Sequence, residues 1–418
     1  MNIKALRDQF PIFTRARTSA HSFVYLDNAA TTQKPRCVID SISDFYSTSN
    51  ANVHRGLYHA AEQATILYEA SRAAVAQFIN AEKASEIVFT KGATEAINLV
   101  ANSWGKSQLK AGDVILLSQV EHHANLLPWL ELARDKRLTI RYIPYDQTTK
   151  KLTIINLDLT DVKLLAVQHT SNVLGNVWDH DFANLIALIR AINHIGGAVL
   201  LDAAQSIAHL PIDVQDLDVD FLTFSGHKMY GPTGIGVLYA KSIRHDELQP
   251  YQVGGSMIYH VSYQAATWAA MPHLLEAGTP PISSAIGLHA AIDFMQKNIS
   301  FSALAIHETM LCQQLITGLK KMPGMHLATT EEQSAHQHVV SFYHDAIHAH
   351  DFASFLGEQN IAVRAGNHCA QPLIDLLGVP ALVRISVAAY TTTHDIDAAL
   401  SALAAAINHL GSIQFSLS

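Results

Sequence analysis

The fold is indicated most clearly by one segment of the chain, Phe221-Leu222-Thr223-Phe224-Ser225-Gly226-His227-Lys228. Its first four residues favour a β-strand, and the small polar residues after them favour a turn that ends on a lysine. An amine beside serine and histidine donors at a strand end suits a Schiff base with an aldehyde cofactor whose phosphate needs neutralising. A surface lysine after a strand would give the same pattern, so residues upstream decide between the two.

Apolar runs of strand length alternate with amphipathic segments, which predicts an α/β fold with a mainly parallel sheet. Each run ends in polar residues, at Gly92-Ala93-Thr94-Glu95, Glu121-His122-His123, Ser171-Asn172 and Asp202, as well as at Ser225. In such sheets ligands bind at the carboxyl ends of the strands, where helix N-termini face anions. The five strand ends therefore predict one binding site.

The chain has 418 residues, of which 49% are hydrophobic and 15% charged, enough for one large and one small domain. After Gly278-Thr279-Pro280-Pro281 the pattern changes to long helical segments and a second α/β region. We predict a large domain of residues 16–284 and a small domain built from residues 1–15 and 285–418.

The net charge of −8 and the lack of a long Lys/Arg block argue against nucleic acid and anionic membranes as partners. The N-terminus does not resemble a signal peptide, and the apolar runs are too short to cross a bilayer. We expect a cytoplasmic protein with a small-molecule substrate or a compact acidic partner.

Three cysteines are too few for a disulfide framework and too widely spaced for a thiolate metal site. Cys37 and Cys312 fall in helical, apolar segments, so we expect buried, inert thiols. Cys369 follows Arg364 and His368 in a short polar segment, which favours an exposed, mobile loop and a thiolate. A buried structural thiol is the alternative for Cys369.

Several candidate residues have two readings. Thr94 and the free N–H groups beside it fit a phosphate cradle, but also an ordinary helix N-cap. Asp202 could hold a protonated pyridine nitrogen with Gln205 on the ring hydroxyl, or could cap a helix. His123 could stack on the ring and exchange protons, or be a structural histidine.

Segments in order from about Ala5 to the C-terminus resemble cysteine desulfurases of the fold type I pyridoxal-phosphate enzymes, in the class V aminotransferase family. They are Tyr25-Leu26-Asp27-Asn28-Ala29-Ala30-Thr31, Val53-His54-Arg55-Gly56, Glu121-His122-His123-Ala124-Asn125, Ser171-Asn172-Val173-Leu174-Gly175, Ser225-Gly226-His227-Lys228, Tyr230-Gly231-Pro232-Thr233-Gly234-Ile235-Gly236, Glu276-Ala277-Gly278-Thr279-Pro280 and Arg364-Ala365-Gly366-Asn367-His368-Cys369. The last segment resembles the SufS/CsdA group rather than the NifS/IscS group. The resemblance implies a mainly parallel seven-stranded sheet in the large domain and a smaller α/β C-terminal domain.

The resemblance also implies the cofactor, pyridoxal 5'-phosphate, and the residues that hold its ring. Lys228 corresponds to the lysine that joins the cofactor. Asp202 corresponds to the partner of the ring nitrogen, and Gln205 to the residue on the ring hydroxyl. His123 corresponds to the residue that stacks on the ring and is our candidate for handling the thiol proton of the substrate.

The phosphate is expected near Thr94, Ser225 and His227, with Thr279 reaching in from the second subunit of a homodimer. Family members commonly have threonine where this chain has Ala93, so only the backbone N–H remains at that position.

For the substrate, the resemblance implies that Asn172 and Arg384 bind the carboxylate and that Asn172 also contacts the cofactor. His54, Arg55 and Arg364 are expected to line the cavity. No metal ion is implied.

The implied reaction removes sulfur from L-cysteine, with Lys228 as general base, and gives L-alanine and a persulfide on Cys369. The sulfur would pass to an acceptor of the SufE or SufU type for iron–sulfur cluster assembly. One alternative is a selenocysteine lyase, which releases selenium from L-selenocysteine without Cys369. Others are a kynureninase or a serine–pyruvate aminotransferase, and a scaffold that holds the cofactor without turnover.

The chain departs from the family at the entrance or the dimer interface. It has His273-Leu274-Leu275 where relatives have Trp-Arg-Phe, Tyr251-Gln252-Val253 where they have Trp-x-Gly, and Tyr390-Thr391 for Tyr-Asn. Among its 24 histidines, His336, His338, His344, His348 and His350 lie close in sequence. Their spacing lacks a carboxylate–histidine pattern on one helix face, so we expect solvated histidines there.

Overall fold

A computed structural model of the chain describes residues 1–16, 23–179, 182–330 and 337–415. Its α-helices are α1 (Ile3–Arg7), α2 (Pro11–Ala16), α3 (Arg36–Thr48), α4 (His59–Phe78), α5 (Ala93–Val100), α6 (Lys106–Gln108), α7 (Leu127–Lys136), α8 (Ala183–His194), α9 (Val214–Leu217), α10 (Ile282–Asn298), α11 (Phe301–Leu319), α12 (Ala349–Glu358), α13 (Gln371–Leu377) and α14 (Thr393–Phe415). Short 3₁₀ helices span Ala84–Glu86, His123–Asn125, Gly226–Lys228, Ser242–Glu247 and His273–Leu275, and a π-helical turn spans Ala101–Gly105.

The strands are β1 (Val24–Tyr25), β2 (Ile87–Thr90), β3 (Val114–Ser118), β4 (Thr139–Ile143), β5 (Tyr145–Asp146), β6 (Lys151–Leu152), β7 (Val162–Gln168), β8 (Ala198–Asp202), β9 (Phe221–Ser225), β10 (Gly236–Ala240), β11 (Ile258–Val261), β12 (Ala266–Trp268), β13 (Met325–Leu327), β14 (Val339–His344), β15 (Ile361–Ala362), β16 (Arg364–Gly366) and β17 (Leu382–Ser386). Seven of them form the central sheet in the order β2-β10-β9-β8-β7-β3-β4. Strand β10 is antiparallel to both of its neighbours, and the other pairs are parallel. The mainly parallel seven-stranded sheet expected from the sequence is confirmed.

The central strands β2, β3, β8, β9 and β10 are buried along their whole length. This explains their continuous apolar runs, because helices cover both faces of such a sheet. Gly236 at the start of β10 lies against the loop that precedes α5. A Cβ there would come within 2.4 Å of the Cα of Gly92, so only glycine allows this close approach.

A second, antiparallel sheet has the order β13-β14-β17-β16. Its buried residues, among them Val340, Phe342 and Val383, pack with residues of α11, α12 and α14. Strand β17 carries Arg384, and β16 ends three residues before Cys369. Since β16 also begins with Arg364, this second sheet brings three of the predicted site residues to the cavity.

The N-terminal strand and helix α10 join the two regions. Strand β1 pairs in parallel with β15, and Asp27 after it forms a bridge to Ser386. Helix α10, which we expected in the small domain, packs instead against α3 and α4, and its Leu288 and Ile292 belong to the larger core. The division of the chain into two domains stays a prediction. In the part of the chain that the structure describes, every helix is too short or too polar to span a membrane.

Candidate active site

A cavity of about 240 Å³ opens at the carboxyl ends of the central strands. Segments that follow β2, β3, β7, β8 and β9 line it on one side, and residues of β16, β17 and the Cys369 loop line it on the other. The predicted site residues found in its wall are Ala93, Thr94, Asn172, Asp202, Gln205, Ser225, His227, Lys228, Arg364, Cys369 and Arg384. The convergence of strand ends is thus present in the structure.

One end of the cavity is suited to a phosphate. Helix α5 begins at Ala93, whose backbone N–H donates to the hydroxyl oxygen of Ser225 at 2.8 Å, and Thr94 is exposed beside it. The N-terminus of a helix carries a partial positive charge and free N–H groups. Burial, followed by the charges of Lys228 and Lys34, lowers the pKa of His227 to about 4. This end offers N–H and hydroxyl donors around a positive helix terminus.

Lys228 is delivered by the 3₁₀ turn Gly226–Lys228 that follows β9. A Cβ on Gly226 would lie 2.8 Å from the side chain of Ile235, so the turn needs glycine at this point. Burial lowers the pKa of the Lys228 amine, the carboxylate of Asp202 opposes that shift, and the Arg384 charge adds to it. A lowered pKa leaves a larger fraction of the amine unprotonated, and only the unprotonated amine can act as a nucleophile or a base.

Asp202 ends β8 and is almost fully buried. Burial raises the pKa of its carboxyl group, while the Ala204 N–H at 2.9 Å and the charge of Lys228 oppose the increase. A carboxylate at this depth is stabilised by a cationic hydrogen-bond partner, and a protonated pyridine nitrogen is one. Beside it, the Gln205 side chain donates to the Ala29 carbonyl at 2.8 Å, which fixes the amide in the cavity wall.

A guanidinium group with a spare donor lies on the opposite wall. Arg384 donates from Nη2 to Asp27 Oδ1 at 2.9 Å and from Nη1 to the Asn172 carbonyl at 3.0 Å. Within the described residues, its Nε and the Asn172 Oδ1 are buried without a hydrogen-bond partner. Burial lowers the pKa of Arg384, and Asp27 opposes that shift. A substrate carboxylate would satisfy the unused donor.

Asp27 has a role at this site that sequence reasoning missed. Its second carboxylate oxygen lies 3.9 Å from Nη1 of Arg364, so it holds one arginine and faces another. The signal available in the sequence was an acidic residue directly after a short apolar strand.

The loop that carries Cys369 is held in place although the cysteine is exposed. His368 and Cys369 have left-handed backbones, with φ of +49° and +56°. The Asn172 amide donates to the His368 carbonyl at 2.6 Å, and the His123 N–H donates to the Cys369 carbonyl at 2.7 Å. The ring of His123 also accepts the Gln371 N–H at its Nε2, at 2.9 Å.

Two neighbouring histidines, His122 and His123, have different positions relative to the cavity. His122 lines the cavity, whereas the ring of His123, which we predicted there, binds the Cys369 loop and lines a neighbouring cavity. The Nδ1 of His122 accepts the Ala124 N–H at 3.0 Å. Burial, followed by the Lys228 charge, lowers the pKa of His122 to about 3, so its imidazole is neutral near pH 7.

Besides His123, three predicted site residues lie outside the cavity of this protomer. His54 and Arg55 are exposed, and His54 bonds Glu69 Oε1 at 2.9 Å. Thr279 is exposed and lines a different cavity, together with Thr90 and other residues.

The remaining predictions concern cysteines and histidines. Cys312 is buried, and burial raises the pKa of its thiol well above the usual value. Cys37, which we expected to be buried, is exposed. His336 lies outside the described residues, and the rings of the exposed His348 and His350 stack with centroids 5.0 Å apart. His338, which we expected to be solvated, is buried and stacks on the ring of His209.

Comparison with known proteins shows what this chain is similar to. The family profile described as Aminotransferase class-V matches residues 24–399. A cysteine desulfurase from Salmonella newport is 43% identical over 404 residues, which cover 96% of this chain and 97% of that one. The chain belongs to the cysteine desulfurases of the class-V aminotransferase family.

Solved structures of other cysteine desulfurases have the same fold. The crystal structure of the Escherichia coli cysteine desulfurase CsdA (S-sulfonic acid) matches with a TM-score of 0.88 and 38% identity, over 98% of this chain and 99% of that one. The apo structure of the cysteine desulfurase from Thermococcus onnurineus NA1 matches with a TM-score of 0.90 and 35% identity, over 97% and 98% of the two chains. The expected fold type I architecture and the SufS/CsdA resemblance are confirmed.

The cofactor of this cysteine desulfurase is pyridoxal 5'-phosphate, and the cavity fits it. The N-terminus of α5 and the Ser225 hydroxyl offer a place for the phosphate. The buried Asp202 lies where a protonated ring nitrogen would stabilise it, and the amine of Lys228 lines the same wall.

Proposed function

We propose that this cysteine desulfurase takes the sulfur atom of L-cysteine, releases L-alanine and keeps the sulfur as a persulfide on Cys369. One observation carries the proposal: an exposed thiol, Cys369, lines the same cavity as the amine of Lys228 and the guanidinium of Arg384. An α-amino acid that bears a thiol has one group to match each of these three side chains.

The cavity residues divide the work of binding. Arg384 takes the substrate carboxylate with its unused Nε, beside the amide of Asn172. The helix α5 N–H groups, Thr94, Ser225 and His227 would hold the cofactor phosphate. Bound pyridoxal phosphate would supply an electron sink at the α-carbon, provided that Asp202 keeps the ring nitrogen protonated.

Proton transfer falls to Lys228 and His122. The lowered pKa of Lys228 supports its action as the base at the α-carbon. His122 replaces His123 as our candidate for stacking on the ring and accepting the substrate thiol proton, because only His122 lines the cavity. Its imidazole is neutral near pH 7, since burial holds its pKa at about 3.

Sulfur transfer needs the Cys369 thiolate. A new S–S bond forms as the Cβ–S bond of the substrate breaks, and the electron pair of that bond stays with carbon. Protonation of the carbon gives L-alanine, so L-cysteine and one protein thiol become L-alanine and one protein persulfide. No external oxidant or reductant is needed for this step.

The persulfide must then reach an acceptor. The hydrogen bonds from Asn172 and His123 to the loop backbone support a resting position in which Cys369 faces the cavity. Release of those bonds would present the sulfur to an acceptor of the SufE or SufU type, for iron–sulfur cluster assembly. The cytoplasmic location expected from the sequence stays a prediction.

We further propose a homodimer in which His54, Arg55 and Thr279 serve the cavity of the partner subunit. All three lie outside the cavity of their own protomer and are exposed. Exposed apolar side chains on the β11–β12 hairpin, including Tyr259 and Trp268 at 85% and 41% exposure, support a contact surface. Mixing Lys228→Ala protomers with Arg55→Ala protomers tests this, because a heterodimer would regain one complete site.

Turnover with L-cysteine tests the proposed reaction. Purified holoenzyme with a reductant should release equal amounts of alanine and sulfide. Cys369→Ser should abolish sulfide release, whereas the matched control Cys37→Ser, the other exposed thiol, should leave it unchanged. A keto acid as product would favour an aminotransferase, and full sulfide release by Cys369→Ser would overturn the persulfide route.

Activity of Cys369→Ser on L-selenocysteine distinguishes the alternative. If Cys369→Ser still releases selenium from L-selenocysteine but no longer releases sulfur from L-cysteine, the protein is a cysteine desulfurase in which only sulfur release needs the Cys369 thiolate. A wild-type enzyme that acts on L-selenocysteine but not on L-cysteine would instead establish a selenocysteine lyase.

A further inference from the structure

Two histidines and a glutamate meet outside the active-site cavity. His54, Glu69 and His273 each offer one metal-binding atom, and these atoms lie within 4.8 Å of one another. Within the described ranges of the chain, this is the only group of three or more such side chains. Glu69 and His273 are half-buried and His54 is exposed, so the group is open to solvent on one side.

The three residues come from separate elements. His54 lies in the turn before α4, Glu69 lies within α4, and His273 begins the 3₁₀ turn His273–Leu275. His54 Nε2 is 2.9 Å from Glu69 Oε1, and the rings of His54 and His273 meet edge to face with centroids 5.1 Å apart.

The surroundings orient the glutamate towards the histidines. Arg72 donates from Nε to Glu69 Oε2 at 2.9 Å and more distantly from Nη2 to Oε1 at 3.5 Å, while Oε1 lies 2.9 Å from Nε2 of His54. The guanidinium of Arg72 is in turn held by both carboxylate oxygens of Glu276, at 2.7 and 2.9 Å, so its charge is balanced. Outer hydrogen bonds of this kind are typical of metal ligands.

His54 itself has an unusual backbone. Its φ is +73°, which is left-handed for a residue with a side chain, and its N–H donates to the Thr65 hydroxyl at 2.9 Å. This conformation turns the ring towards α4, where Glu69 lies.

We propose that His54, Glu69 and His273 form a binding site for Zn²⁺ or a similar late first-row divalent cation. Two imidazoles and one carboxylate are a common zinc donor set when a fourth position stays open to water. Bonds of about 2.0–2.1 Å place tetrahedral donors roughly 3.3 Å apart, so the most distant donor must move inward by about 1.5 Å at most. The metal would tie the turn that carries His54 and Arg55 to the His273 turn, so His54 would serve the cavity of the partner subunit by holding Arg55 in place rather than by touching the substrate.

The site is tested on holoenzyme that carries Cys369→Ser, so that the catalytic thiol cannot bind the metal. Titration with Co²⁺, followed by its visible absorption, and with Zn²⁺, followed by calorimetry, should show one tight equivalent per protomer. His273→Gln and Glu69→Gln should each weaken that equivalent at least tenfold. The matched control His260→Gln, an exposed histidine of the β11–β12 hairpin, should not.

Glu69→Gln keeps one side-chain oxygen that can accept from Arg72, and thermal unfolding of the metal-free variants checks that both retain the fold. Absence of a tight equivalent in the parent protein overturns the proposal. Equal affinity in the parent and in His273→Gln, or equal weakening by His260→Gln, overturns it as well. Neither readout depends on cysteine turnover, so failure of the metal site is distinguishable from failure of the proposed reaction.

Discussion

Replacement of Arg384 by lysine is the sharpest test of the substrate site. The guanidinium is almost fully buried, and two of its nitrogens are used by Asp27 and by the Asn172 carbonyl. Its Nε has no hydrogen-bond partner among the described residues, and the second N–H of each terminal nitrogen is a further donor for the substrate carboxylate. Lysine keeps the positive charge but brings a single ammonium group, which cannot hold Asp27 and Asn172 and also reach the substrate from a second nitrogen.

The size of the effect follows from one lost charge-assisted hydrogen bond. Such a bond contributes about 1.5–3 kcal/mol, and 1.4 kcal/mol corresponds to a tenfold change in affinity. Arg384→Lys should therefore raise the KM for L-cysteine on the order of 10- to 150-fold. The kcat should change less, because the bond is present both before and during the reaction.

Steady-state kinetics of alanine formation measure both parameters. Arg364→Lys is the comparison, since Arg364 is exposed and lies 3.9 Å from Asp27, and it should raise KM by a smaller factor. Unchanged KM in Arg384→Lys, or a loss confined to kcat, would refute the assignment of Arg384 to the carboxylate.

Three further predictions concern stability, the cysteine loop and pH. Arg72→Met leaves a buried carboxylate without its partner, so urea unfolding should show a loss of about 3–5 kcal/mol, and a loss below 1 kcal/mol would contradict this. His123→Ala removes one hydrogen bond to the Cys369 loop, worth about 0.5–1.5 kcal/mol, so it should slow persulfide formation while exchange of the cysteine α-proton with solvent stays near normal. His122→Ala should slow both persulfide formation and α-proton exchange. The opposite pattern in the two variants would indicate that His123, and not His122, stacks on the cofactor ring. Burial holds the pKa of His368 at about 3, so below about pH 6.5 this histidine binds a proton in the unfolded chain but not in the folded protein. The free energy of unfolding should therefore fall by about 2 kcal/mol between pH 7 and pH 5 because of His368. In His368→Asn the fall in unfolding free energy over the same pH range should be smaller by about 2 kcal/mol.

The strand ends were predictable because parallel strands carry their carboxyl ends to one edge of a sheet. Asp202 ends β8, and Lys228 lies in the turn that follows the neighbouring strand β9, for this reason. His122 and His123 could not be told apart, because the chain is extended at His122 and begins a 3₁₀ turn at His123, and only that geometry decides which ring enters the cavity. Sequence periodicity carries no information on such a turn.

Other misses have different physical causes. The buried face of α3 is marked by Val38 and Phe45, which are seven residues apart. Cys37 precedes Val38 by one residue and therefore lies outside this buried face. The position of α10 depends on packing with α3 and α4, which a change in local composition near residue 284 does not reveal. His54 and His273 are 219 residues apart in sequence, so their proximity depends on tertiary structure.

Mass spectrometry of the protein after one turnover with L-cysteine tests the central claim most directly. The peptide that contains Cys369 should gain the mass of one sulfur atom, and a thiol reductant should remove that added mass. The Cys37 and Cys312 peptides should stay unchanged. Lys228→Ala should show no gain at any cysteine. An unmodified Cys369 peptide from an enzyme that has formed alanine, or sulfur found equally on Cys37, would contradict the account.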